Sequence, residues 1–322
     1  MAGRHIRDMI AAYGQRDDLK FRRAAQAIIQ EEEAKKHTVL ARELRSALAA
    51  NAGVGASEHA PALEPPLDRD SSLPLARVEY PQRYLSDLVL DRSVAASLER
   101  LAHEVRNWPA LDAAGLPRRN RLLLSGPPGC GKTSAVSGIA HELGRPLVTA
   151  RVEGLISSYL GETAANLSNL FDFASTGSYV LFLDEFDSLG KMRGDTSDHG
   201  ELRRVVNAVL QQIDTYSGPS LIVAATNHSQ ILDSALWRRF DSVIELGLPD
   251  SRQVSALLGR LLPNNGASLA RHYVEELVGL PHAATEYFAV SAKRHALLEG
   301  RKRIGDTDIN FALTETISRR WL

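Results

Sequence analysis

The sequence is short of several things, and each shortage narrows what the chain can be. It holds one cysteine, Cys130, among 322 residues, so an intramolecular disulfide framework is excluded and a reducing compartment suits it. No apolar run approaches the roughly twenty residues a membrane helix needs, and the start (Met1-Ala2-Gly3-Arg4-His5) has no leader pattern. An excess of one charge is missing too. Lys and Arg total 38 against 39 Asp and Glu, a net of −1, which argues against a general nucleic-acid or membrane-binding surface but leaves room for a local patch. Neither His-Glu-x-x-His nor Gly-x-Ser-x-Gly occurs, so two common hydrolase signatures are absent. The histidines and the three tryptophans (Trp108, Trp237, Trp321) cluster into no metal or stacking pattern, and no internal repeat is visible. These absences predict a soluble cytoplasmic protein.

What is present centres on one stretch, Gly126-Pro127-Pro128-Gly129-Cys130-Gly131-Lys132-Thr133. An apolar run, Leu122 to Leu124, leads into it and a helix-competent run, Ser134 to Leu143, follows. This is G-x-x-x-x-G-K-[ST] in the strand–loop–helix setting that gives the motif meaning. Backbone N–H groups must curl round phosphate oxygens, and glycines let the chain turn that tightly. The helix beginning at Lys132 points its N-terminal N–H groups and dipole at the anion. Lys132 would reach the β- and γ-phosphates and the Thr133 hydroxyl would hold Mg²⁺. Cys130 contributes its backbone N–H, and its thiol, near a helix N-terminus, is expected to have a lowered pKa.

Three more clusters support the loop. Leu181-Phe182-Leu183-Asp184-Glu185 is an apolar strand ending in two acids, and in an open α/β sheet that end faces the ligand crevice. Asp184 would serve the Mg²⁺ shell, and Glu185 would polarise the attacking water. A second buried strand, Leu221 to Ala225, ends in Thr226-Asn227, where an amide could bond both that water and a γ-phosphate oxygen. By itself Asn227 reads more readily as a strand-ending turn residue. Arg238 and Arg239 offer adjacent guanidinium groups, either for a developing phosphoryl charge supplied from a neighbouring subunit or for ordinary surface ion pairs.

The rest of the chain has a legible layout. Residues 1 to about 50 carry narrow helical stripes (Ile6, Ile10, Tyr13; Phe21, Ala24, Ile28; Leu40, Leu44, Leu48) that two or three short helices would bury. Such a hairpin could aid assembly or dock a partner. The next stretch, with Pro61, Pro65, Pro66 and Pro74, has no period and reads as a tether. Apolar strands then alternate with helices up to Pro249, and continuous rather than alternating apolar strands predict a parallel sheet covered on both faces. Beyond Asp250 only helical faces remain.

Taken in order, GPPGCGKT (126–133), LFLDE (181–185), AATN (224–227) and LDSALWRRFDSVIELGLPD (232–250) resemble the AAA family of ATPases, in its ring-forming, protein-remodelling branch. The similarity runs from about Tyr84 to Leu313. The resemblance implies a P-loop α/β ATPase body over 80–249, an α-helical lid over 250–322, a helical adaptor over 1–50 and a linker over 51–79. It implies that Gly126 to Ser134 bind ATP with Mg²⁺, that Asp184 and Glu185 are the Walker B pair, and that Asn227 is sensor 1. Arg238 and Arg239 are then trans-acting fingers, and Ser86 to Leu90 line the adenine pocket. The run Leu155 to Thr163 is similar to the family's first pore loop, in which Tyr159 with Leu160 would grip an extended polypeptide. A polar stretch, Gly190 to Gly200, stands where a second pore loop would lie. The implied activity is ATP-driven threading or unfolding of a protein substrate by a homo-oligomeric ring, a hexamer. The N-terminal helices would recruit a protease or effector. The alternative is a nucleotide-switched ATPase in a DNA-bound loader complex, for which Arg22-Arg23 and Lys35-Lys36 would supply basic contacts. One departure stands out. Where relatives carry a G-x-S-G-A-D-like run, this chain has Leu280-Pro281-His282-Ala283-Ala284-Thr285-Glu286, with His282 read as a helix-start residue and no sensor-2 arginine.

Overall fold

A computed structural model describes residues 64–68, 72–151, 160–186, 208–228, 237–263 and 271–321, together with Ile28. The chain divides into Met1–Ala62 and Leu63–Leu322, and the architecture below is that of the second unit. The expected N-terminal helices, Tyr159 and the polar stretch 190–200 lie outside the described residues.

Six strands form one sheet: β1 (Ala76–Glu79), β2 (Arg121–Ser125), β3 (Leu147–Ala150), β4 (Val180–Leu183), β5 (Leu221–Thr226) and β6 (Ser242–Glu245). Their spatial order is β1-β3-β4-β5-β2-β6. Five strands run parallel, as their continuous apolar sequences predict. Every residue of β4 and β5 is buried, with successive side chains feeding opposite faces. On one face Leu123, Leu181 and Ile222 pack with Leu167, Leu170 and Phe171 of α4 (Leu160–Ser175) and with Val209 and Ile213 of a helical run over 208–215. On the other, Leu122, Leu124, Phe182 and Val223 meet α1 (Arg92–Arg106) and α3 (Lys132–Leu143), through Leu98, Leu101, Val136 and Ile139. A short helix, α2 (Trp108–Ala113), lies between them in sequence.

The edge strand corrects the expected layout. Residues 76–79 fell within the tether, yet β1 pairs antiparallel with β3, Ala76 opposite Ala150, and Leu75 and Ala76 are buried in the core. Ordered contacts reach further back, since the Leu75 N–H donates to the Pro66 carbonyl at 2.8 Å and Asn166 Nδ2 donates to Asp68 at 3.0 Å. Pro65, Pro66 and Pro74 therefore punctuate an ordered crossing rather than mark a tether.

Beyond β6 the chain is helical: α5 (Ser251–Leu261), α6 (Arg271–Leu277), α7 (His282–Leu298) and α8 (Asp306–Ile317). Asp250 caps α5 by accepting from the Gln253 N–H at 2.8 Å, while Gln253 accepts from the Asp250 N–H in return. These helices enclose their own core of Val254, Leu258, Leu277, Phe288, Ala292 and Ile309. Its buried polar centre is Asp308, fully enclosed and accepting from Arg301, His295 and the Gly305 N–H. Burial works against the Asp308 carboxylate, but these donors hold its pKa far below the usual carboxylate range.

Candidate functional site

The parallel register brings the carboxyl ends of β2, β5 and β4 together. Ser125 lies opposite Thr226, and Leu183 opposite Ala224, so the chain leaves all three strands into one crevice. From β2 comes the phosphate loop. Its first glycine, Gly126, has φ 139°, and a Cβ there would fall on the Leu246 carbonyl oxygen, far inside contact distance. The loop can pass β6 only without a side chain at that position.

Lys132 then opens α3, buried to 6 % exposure, and its Nζ donates to the carbonyls of Gly126 and Pro127 at 2.7 and 2.8 Å. Its ammonium thus sits inside the curl of the loop. Thr133 Oγ1 donates to Asp184 Oδ2 at 3.2 Å, which joins the loop to the end of β4 across 51 residues of sequence. Two hard oxygen donors at a helix N-terminus are the donor set a Mg²⁺ ion accepts when it keeps several waters, so these residues fit the ion.

Glu185 follows in a tight turn. It has φ 48°, a left-handed conformation uncommon for a residue with a side chain, and is exposed. Two bonds enforce the turn. Asp184 Oδ1 accepts the Glu185 N–H at 2.9 Å, and the Phe186 N–H donates to the Ala225 carbonyl at 2.8 Å. Phe186 is buried edge-on against Phe240, with centroids 6.1 Å apart. Strain here presents the Glu185 carboxylate outward while its neighbours are anchored. Asn227, half-buried, continues from β5 beside this turn.

The two arginines are elsewhere. The Asp241 N–H donates to the Arg121 carbonyl and Ser242 pairs with Leu122, so Arg238 and Arg239 precede β6 at the amino end of the sheet, away from the phosphate loop. Arg239 is ion-paired with Asp214, and Arg238 is exposed. The structure therefore does not bring them to their own chain's phosphate loop.

The helical region beyond β6 touches the loop directly. The Ala283 N–H donates to the Gly129 carbonyl at 3.1 Å. A Cβ on Gly129 would come within 2.9 Å of the Ala283 Cβ and 3.2 Å of the Pro281 Cβ. In the sequence, 280–286 shows only a departure from the family's run and a helix start at His282. No local signal could reveal a contact that depends on how two helical layers meet. His282 is the first residue of α7, as expected, and burial pushes its imidazole pKa down against the opposing influence of the Val89 backbone and Glu286.

Cys130 corrects an expectation. It is 1 % exposed, and burial pushes its thiol pKa up, outweighing Lys132 and the His282 backbone. The helix N-terminus does not activate a thiol that points into the core.

Among the described residues no group of three or more His, Cys, Asp or Glu could hold a metal ion, and no helix is long and apolar enough to cross a membrane.

Comparison with known proteins bears on the family and the fold. Residues 122–248 match the family described as "ATPase family associated with various cellular activities (AAA)". An uncharacterized AAA family ATPase of Sinorhizobium fredii is 38% identical over 323 residues, spanning 99% of this chain and 96% of that protein. ATP-dependent zinc metalloprotease FtsH 3 of Sphaerobacter thermophilus is 34% identical over 60% of this chain, but only 40% of its own length is covered. The proteasome-activating nucleotidase of Pyrococcus furiosus is 30% identical over 74% of this chain and 63% of its own. The crystal structure of FIGL-1 AAA domain superposes with a TM-score of 0.61 at 21% identity, over 75% of this chain and 85% of that one, which supports the fold alone. With a relative matched nearly end to end and the family's motifs in place, this chain belongs to the AAA family of ATPases.

Proposed function

We propose that the chain is a protein-remodelling ATPase whose catalytic site is completed by a second copy. One observation carries this reading: the phosphate loop, Asp184, Glu185 and Asn227 converge at one end of the sheet, while Arg238 and Arg239 stand at the other. Five parallel strands separate the ends by about 15 Å of strand rise. A guanidinium there can stabilise transferring phosphate only in a neighbour's site, which makes hydrolysis depend on assembly.

Within one site the chain's residues divide the work. Lys132 and the loop N–H groups bind the β- and γ-phosphates of ATP. Thr133 and Asp184 hold Mg²⁺, which when bound neutralises charge on the phosphate oxygens. Glu185, aimed outward by its turn, takes a proton from the water that attacks the γ-phosphorus, while the bond to the β-phosphate oxygen breaks and ADP and phosphate leave. Asn227 orients that water. On this reading 80–249 is the ATPase body, 250–322 the lid, and the N-terminal helices recruit a protein substrate or an effector. Relatives named as an ATP-dependent metalloprotease and a proteasome-activating nucleotidase support the protein-directed reading. Tyr159 and Leu160 would grip the substrate.

The test is the solution mass of Glu185→Gln, which should bind ATP without hydrolysing it. Light scattering is expected to show an ATP-dependent rise to about six subunits. A monomer with and without ATP, despite confirmed nucleotide binding, would overturn the completed-in-trans site and leave a nucleotide switch of the loader kind.

A further inference from the structure

We propose that Arg83 is a nucleotide-binding residue, presented by a strap over α3 to the flank of the site that faces away from the metal-holding pair; this rests on the nucleotide-site reading above. The strap is the segment from Pro81 to Leu88. It runs along one stripe of α3, at Ser134, Gly138 and His141, which the helical period places on a common face. His141 Nδ1 lies 2.8 Å from the Pro81 carbonyl oxygen, and its ring meets Tyr84 edge-on with centroids 4.2 Å apart. Leu85 rests on Gly138, where a Cβ would approach the leucine methyl to 2.8 Å. The strap's far end is tied as well. Asp87 accepts the Tyr84 N–H at 3.0 Å, and its carbonyl accepts from Arg260 of α5 at 2.8 Å.

So held, the strap puts one cation at the first turn of α3, where Arg83 Nη1 donates to Ser134 Oγ at 2.9 Å. That position is electrostatically costly unless an anion shares it. The N-terminal end of a helix carries partial positive charge, and a guanidinium there is repelled by the dipole and by Lys132. Among the described residues Arg83 forms no ion pair. Yet the phosphate loop exists to bring anionic charge to this helix end. Thr133 faces Asp184, which fixes the metal flank. Ser134 is one residue on, about 100° round the axis, so Arg83 stands on the other flank. A phosphate chain anchored by Lys132 with its terminal group toward Asp184 extends its first phosphate and its sugar toward that side. Arg83 therefore recognises what ATP and ADP share.

The experiment measures dissociation constants for ATP and for ADP in the non-hydrolysing Glu185→Gln background, adding Arg83→Ala, Arg83→Lys or Lys132→Ala. Arg83→Ala is expected to weaken both nucleotides by about tenfold, with the deficit shrinking at high salt and Arg83→Lys recovering part of it. A change under about twofold for both would overturn the proposal. So would an effect confined to ATP, which would move the guanidinium to the terminal phosphate. A structural tie alone would lower the melting temperature of the nucleotide-free protein and leave both constants in place, and that also overturns it. Lys132→Ala separates the two readings. If it abolishes binding while Arg83→Ala changes nothing, Arg83 alone is wrong. If it binds like its parent, the nucleotide site itself is wrong.

Discussion

The phosphate loop leans on two walls of different construction. Behind Gly126 is backbone, the carbonyl of Leu246 just past the end of β6, locked in place because the Leu246 N–H donates to the Ser125 carbonyl at 2.8 Å. In front of Gly129 are two side chains, Ala283 and Pro281, carried by the helical region beyond β6, which has its own hydrophobic core. The first wall is part of the sheet that makes the loop. The second is a joint between separately packed bodies, made of methyl-sized contacts and one hydrogen bond. The difference teaches which wall can move: a sheet edge yields only by unfolding, whereas a small-residue joint can part and reclose as nucleotide comes and goes.

The comparison breaks first at Gly126. Replacing it by alanine drives a Cβ into the Leu246 carbonyl at a backbone φ of 139°, and neither obstacle can turn aside. A loss of about 3 kcal/mol or more is expected from denaturant unfolding of the nucleotide-free protein. A loss below about 1 kcal/mol would mean the backbone wall gives, and the two walls would no longer differ in kind.

Gly129→Ala should cost less, about 2 kcal/mol, from its φ of 73° together with the 2.9 Å approach to Ala283. Its obstacle is a side chain, so a second change can remove it. Adding Ala283→Gly is expected to restore about 1 kcal/mol in a double-mutant cycle, and no side-chain truncation at Leu246 should help Gly126→Ala. Additive losses at positions 129 and 283 would show that the helical region beyond β6 is not coupled to the loop through this contact.

These two glycines also mark how far the sequence could be read. Gly126 was legible as the first glycine of a spaced motif after an apolar strand, although the Leu246 carbonyl behind it was not. The burial of β4 and β5 was legible for a similar reason, since an unbroken apolar run has one comfortable home. Asp184, Glu185 and Asn227 followed from where such strands end. What escaped depended on distant partners. The strand β1 is four residues long, with polar Arg77 and Glu79 and with Pro74 ahead of it, and only the neighbouring β3 makes it a strand. Cys130 was misread because its sequence position fixes the helix terminus nearby but not the direction of the thiol, which the fold turns inward. Arg83 carries no local signal at all, for its meaning comes from a helix 51 residues away.

The smallest effect tests the joint through pH. The His282 imidazole pKa is lowered from 6.5, first because burial disfavours the cation, while Glu286 acts the other way. A group whose folded pKa is depressed favours the folded form most when it is neutral. Its contribution is therefore complete above the unfolded value of 6.5 and is lost as pH falls through that value toward the folded one. Between about pH 8 and about pH 5.5 the parent should lose more stability than His282→Gln, which keeps a polar side chain there but cannot take up the proton. The backbone wall behind Gly126 contains no such group, so Gly126→Ala should shift stability by the same amount at both ends of that range. Equal pH losses for the parent and His282→Gln would show that the imidazole is solvated at the joint and that the C-terminal helices rest on Gly129 through Ala283 and Pro281 alone.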